Sequence, residues 1–179
     1  HQETKNLDEN VKDIKPLQIK GVKLALVSFL FYCGVEASMG LWGSSYLVNI
    51  KGLDAAKAAE WVSYYFAGIT FGRFVTGFIT FKMTNRALIR TGQFLALFGS
   101  ILLVLPFPTI FSLLGFVIVG VGLAPIFPCM LHETPTHFGK KHSQRIMGYQ
   151  MGIAYTGTTF LPPLLGFLAS QTTIGIFPF

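Results

Sequence analysis

Five long runs of apolar residues, each bounded by charged or turn-forming residues, decide what this chain can become. A helix needs about 20 mostly apolar residues to cross the hydrocarbon core of a bilayer. Such runs occupy about residues 24–50, 61–81, 87–105, 110–131 and 146–170. The segments between them are short, as expected of antiparallel neighbours in a bundle. Only 12% of the 179 residues are charged, against about 25% in an average soluble domain. The expected fold is therefore an all-α membrane protein, a transmembrane helix bundle.

Residues 1–21 read differently. Glu3, Lys5, Asp8, Glu9, Lys12, Asp13, Lys15 and Lys20 crowd a stretch with few large apolar side chains, the composition of a solvated linker. The bundle is expected over 22–179. The chain starts at His1 rather than Met, and it stops at Phe179 inside a new apolar run that starts at Ile174. Both ends look cut, and the bundle is read as incomplete, with a sixth span truncated.

Basic residues orient the spans, because cytoplasmic loops are enriched in Lys and Arg. Lys5, Lys12, Lys15, Lys20, Lys23, Lys82, Arg86, Arg90, Lys140, Lys141 and Arg145 fall on one side, and Lys51 and Lys57 on the other. Eleven against two puts the linker and the loops at 82–86 and 132–145 in the cytoplasm, with the protein in the inner (cytoplasmic) membrane. The net charge of +6 does not imply nucleic acid, since the cations are dispersed between apolar runs and form no basic patch. The two cysteines, Cys33 and Cys129, lie within apolar runs and have neither disulfide nor zinc spacing. Around His132, Glu133 and His137 the sequence resembles a zinc motif, but the histidines are five apart with Pro135 between them, whereas the metalloprotease helix needs four. No metal and no cofactor is expected.

Two ionisable residues lie deep in the spans. Glu36 comes 13 residues after Lys23 and Arg73 nine before Lys82, roughly 20 and 13 Å from the same face at 1.5 Å per residue. Each costs on the order of 2.5–3.5 kcal/mol to bury in lipid. They are expected either to pair and hold helices together or to serve a substrate or a coupling proton. Tyr32, Trp42 and Tyr46 accompany Glu36 in its span, and Tyr65 accompanies Arg73 in the next, as ring and hydroxyl contacts for a solute or as packing aromatics. Gln150 is the hydrogen-bonding candidate of the fifth run, for substrate or for a neighbouring helix. Gly68 with Gly72, and Gly148 with Gly152, are spaced for close helix contact. Pro125 and Pro128 are expected to break the fourth span, and Pro162 and Pro163 the fifth. Broken helices are tolerated where protein or a watery cavity satisfies the backbone.

The stretch Tyr32-Cys33-Gly34-Val35-Glu36-Ala37-Ser38-Met39-Gly40-Leu41-Trp42 resembles the seventh span of the major facilitator superfamily, in the branch of fucose and other sugar–proton symporters. Gly68 to Gly77, with Gly72-Arg73-Phe74 inside, resembles the eighth span, and Gly120-Val121-Gly122-Leu123-Ala124-Pro125-Ile126-Phe127-Pro128 the tenth. The resemblance covers about residues 22–170. It implies the C-terminal half of a twelve-helix fold, alternating access, a sugar as substrate, a proton (or sodium) as coupling ion, and a missing N-terminal six-helix half as partner. In that branch the better-established proton carboxylates belong to the missing half, which favours Glu36 as a substrate ligand. A channel would need a filter-like repeat, and an enzyme a cluster of His, Asp or Cys at one depth, and the spans carry neither. A non-transporting receptor or scaffold on the same fold is the alternative.

Overall fold

Capping side chains start two of the helices, and glycines turn the chain at three of the junctions. The computed structural model describes residues 16–178, so most of the expected linker, 1–15, lies outside the described residues. A 3-10 turn, Pro16–Gln18, leads through Gly21 (φ 92°) into α1, Val22–Asn49. Gly52 turns the chain at φ 69°. Asp54 then caps α2, Ala55–Ile79, accepting from the Ala56 N–H at 3.0 Å. This cap explains why α2 starts six residues before the apolar run expected from 61. Thr84 likewise caps α3, Asn85–Val104, from the Ala87 N–H at 3.3 Å. Past the prolines at 106 and 108 come α4, Thr109–Leu123, and α5, Ile126–Phe138. Gly139 alone joins α5 to α6, Lys140–Gln171, and a last 3-10 turn spans Ile174–Ile176.

The break between α4 and α5 falls where Pro125 and Pro128 were expected to put it. Two other expectations are corrected. Pro162 and Pro163 lie inside α6 without interrupting it. That helix is clamped on both sides of them, by Leu161 against Gly34 and by the Trp42 ring against Gly166, so packing outweighs the lost N–H groups. The loop expected at 132–145 is helical except at Gly139, whose φ of 78° and ψ of 149° separate the two helices.

Among the described residues three segments are long and apolar enough to cross a membrane: α1, α3, and α4 taken together with α5. Helices α2 and α6 reach 25 and 32 residues, enough for roughly 37 and 48 Å, but they are more polar. Both turn part of their circumference towards a cavity described below, where lipid does not set the composition.

Packing gives two layers of contact. Helix α1 lies along α6, and α4 is wedged between α2 and α3. The wedge depends on small residues. A Cβ at Gly68 would come 2.8 Å from the Val117 carbonyl oxygen, and one at Gly99 2.8 Å from that of Gly115. Gly92 and Gly120 are equally confined by neighbouring backbone. Such close approach replaces the hydrophobic effect, which is absent between helices in lipid. Gly68 and Gly72 thus pack as their spacing suggested. Gly148 and Gly152 do not, for nothing in the described structure approaches them. Phe29, Tyr46, Leu47, Tyr65, Leu103 and Phe116 fill the core.

Candidate functional site

The helical period brings α1 and α6 to a shared opening. Cys33, Glu36 and Ala37 recur at one face of α1, and Met151, Ala154, Tyr155 and Thr158 at one face of α6, the i, i+3, i+4, i+7 positions of a single stripe. Phe66 and Arg73 from α2 and Phe127 from the first turn of α5 complete a cavity of about 570 Å³. Its wall is apolar apart from Glu36, Arg73, Tyr155 and Thr158.

Glu36 and Arg73 meet there. The Arg73 Nη2 donates to Glu36 Oε1 at 3.1 Å. The Arg73 side chain is 49% exposed and that of Glu36 25%, so the pair lines the opening and is not sealed between helices. Tyr65 sits directly behind it: its hydroxyl donates to the backbone carbonyl of Glu36 at 3.1 Å. Besides Arg73, the Tyr32 hydroxyl lies within hydrogen-bonding reach of the Glu36 carboxylate, and the guanidinium keeps further N–H groups at the opening. An acceptor and donors therefore stand side by side at the cavity wall.

The other residues singled out from sequence lie elsewhere. Tyr32 is buried and donates to the Leu123 carbonyl at 2.9 Å, next to the α4–α5 break. Trp42 donates from Nε1 to the Pro162 carbonyl at 2.9 Å, tying α1 to α6 at the proline pair. Tyr46 is buried and donates to the Leu103 carbonyl at 2.6 Å, tying α1 to α3. Gln150 is 1% exposed and accepts from the Thr134 hydroxyl at 3.0 Å, joining α6 to α5. Of Tyr32, Glu36, Trp42, Tyr46, Tyr65, Arg73 and Gln150, only Glu36 and Arg73 lie on the cavity wall. Sequence reading missed Cys33, Ala37, Phe66, Phe127, Met151, Ala154 and Thr158. The stripe on α6 was the available signal for four of the wall residues. Phe127, placed between two prolines at the helix break, was a second.

A second polar cluster lies at the end of the bundle where α1 and α3 begin. Glu133 of α5 accepts from Asn85 Nδ2 at 3.1 Å, and its other oxygen faces His137 Nδ1 at 3.0 Å and Arg86 Nε at 3.8 Å. His137 Nε2 lies 2.9 Å from Arg86 Nη2. Among the described residues no three His, Cys, Asp or Glu side chains are grouped to hold a metal.

The helical repertoire, the glycine wedge and the broken α4–α5 unit agree with a family-level comparison. The family model of the Major Facilitator Superfamily matches residues 17–177. This chain belongs to the Major Facilitator Superfamily. Searches of curated proteins and of solved structures gave no significant match. Members of the superfamily are membrane transporters, so this helical chain, with three candidate membrane spans among the described residues, is a multi-pass membrane protein of a transporter family that acts on small-molecule substrates.

Proposed function

We propose that this chain is the C-terminal half of a twelve-helix secondary transporter that moves a small polar solute, a sugar, by alternating access with a proton as the coupling ion. The N-terminal six-helix half would close the far side of the cavity, and the end bearing Lys20, Lys23, Arg86 and Arg90 would face the cytoplasm. The observation that carries the reading is the half-exposed Glu36–Arg73 pair on the wall of an otherwise apolar cavity. Ionisable groups at membrane depth are costly and mark substrate or ion pathways. The carboxylate accepts, and the guanidinium N–H groups donate. Two neighbouring hydroxyls of a sugar would satisfy both at once, while Phe66 and Phe127 would face its C–H surface.

In this reading Glu36 is a substrate ligand. Glu36→Gln in the reconstituted transporter is expected to weaken substrate binding and counterflow exchange together, roughly ten- to hundredfold, the worth of a hydrogen bond to a charged group. Loss of pH-driven uptake with exchange intact would reassign Glu36 to the coupling proton. Wild-type binding, exchange and pH dependence would remove it from the mechanism altogether.

A further inference from the structure

The cluster around Glu133 contains a constraint that the transport site does not use. Arginine has donors only. At 2.9 Å from Arg86 Nη2, His137 Nε2 must therefore be the unprotonated ring nitrogen. The ring proton then sits on Nδ1, where it points at the Glu133 carboxylate, 3.0 Å away, and at the Glu133 carbonyl, 3.2 Å away. His137 is thus neutral in the less common tautomer. It bridges the C-terminal turn of α5 to the first residues of α3, accepting from one side and donating to the other.

A second proton has only Nε2 to go to. That nitrogen would become a donor facing a donor, and two cations would stand where a hydrogen bond was. The contact between His137 and Glu133 survives, since Nδ1 still donates. The contact between His137 and Arg86 does not. We propose that His137 is a proton-binding switch that braces Arg86 at the start of α3 against α5 when neutral and, when charged, gives up that brace and leaves the junction to the Asn85 and Arg86 contacts with Glu133 alone.

The surroundings suit the role. Lys20 comes before α1, and Arg86 at the start of α3 and Glu133 on α5 share a cavity of about 470 Å³ with His137, to which α6 adds only the uncharged Gln150. Lys141, His142 and Arg145 of α6 line a separate cavity. The His137 side chain is 41% exposed, so protons reach it directly from the aqueous phase. Histidine is also the side chain whose charge changes near neutral pH. The sign follows from the geometry: the bond to Arg86 is present on the alkaline side of the histidine titration and lost on the acid side. In the orientation proposed above, this makes the device a sensor of cytoplasmic acidification, independent of which solute the cavity takes.

Two measurements on the purified protein in detergent test this. Ring ¹⁵N spectra at pH 8 should show His137 protonated at Nδ1, whereas a free histidine favours Nε2. The assignment comes from His137→Gln or from removal of His1, His132 and His142. Amide exchange over residues 84–90, corrected for intrinsic chemistry, should then rise roughly three- to tenfold from pH 8 to pH 6, the net worth of one ordinary hydrogen bond at an exposed site. His137→Gln should flatten that rise, and His132→Gln, one turn earlier on the same helix, should retain it. An Nε2–H tautomer at pH 8 would overturn the proposal, as would a pH profile that His137→Gln leaves unchanged. If His137→Gln does not fold, the wild-type tautomer decides alone.

Discussion

Glu36–Arg73 and Thr134–Gln150 are both polar pairs joining neighbouring helices in an apolar bundle, but their surroundings are opposite. The second is almost wholly buried beside the cavity at Glu133, with Thr134 and Gln150 each 1% exposed and the hydroxyl directed at Gln150 Oε1 and at the Met130 carbonyl. The first opens onto a 570 Å³ cavity, where both side chains stay partly exposed. A buried pair spends much of its hydrogen-bonding capacity on its partner and holds helices together. An open pair keeps capacity for a third party. The difference separates architecture from function better than residue type does, since glutamine and tyrosine are equally plausible as ligands and as interhelical ties.

Three substitutions can break or sharpen this contrast. Arg73→Gln should have the largest effect. Transport is expected to fall at least tenfold, the worth of a lost charge-assisted contact. The melting temperature should change little, because a pair facing water contributes little to stability. Uptake and thermal unfolding measured on the same preparation check both halves. A large loss of folded protein, restored by adding Glu36→Gln, would make the pair a strut of the same kind as Thr134–Gln150.

Tyr65→Phe should fall between the extremes. The phenol grips the Glu36 backbone from behind without touching the cavity, so its loss loosens the carboxylate instead of removing it. Substrate affinity is expected to drop roughly threefold, in line with the ~0.6 kcal/mol typical of interhelical hydrogen bonds in membranes. An effect as large as that of Glu36→Gln would place Tyr65 itself in the site.

Gln150→Leu should matter least to transport. The Thr134 hydroxyl keeps its bond to Met130, so stability should fall by about 1 kcal/mol, and uptake should stay within about twofold of wild type on the same scale of effect. A specific loss of transport at unchanged stability would return Gln150 to the substrate path.

The bundle was legible because the bilayer imposes one rule on every span, and that rule is written in local composition. Glu36 and Arg73 were legible for the same reason: a charge in an apolar run is conspicuous and needs an explanation. That Tyr32, Trp42 and Tyr46 lie off the cavity wall was not legible, because their partners, the carbonyls of Leu123, Pro162 and Leu103, lie 91, 120 and 57 residues away along the chain. No local pattern encodes such pairings. The helix through 132–138 was hidden by Pro135 and by a run of polar side chains. It forms because Asn85, Arg86 and His137 satisfy Glu133, an arrangement that exists only once α3 is in place. Gly148 and Gly152 show the converse, a spacing that fits close packing but meets no neighbour among the described residues.

The connection at Gly139 has a mechanical corollary. Helix α5 is a rod of 13 residues with a proline-weakened joint at its upper end and a one-residue tether to α6 at its lower end. A tether that short has no slack. If α5 swings about Pro125, Gly139 must absorb the displacement in its own two torsions or α6 must follow. Phe127 at the top of the rod and Met151 and Tyr155 on the follower both face the solute cavity. Joint, rod and follower therefore form a crank, in which displacement at one corner of the cavity wall is returned to the opposite corner through the far end of the molecule.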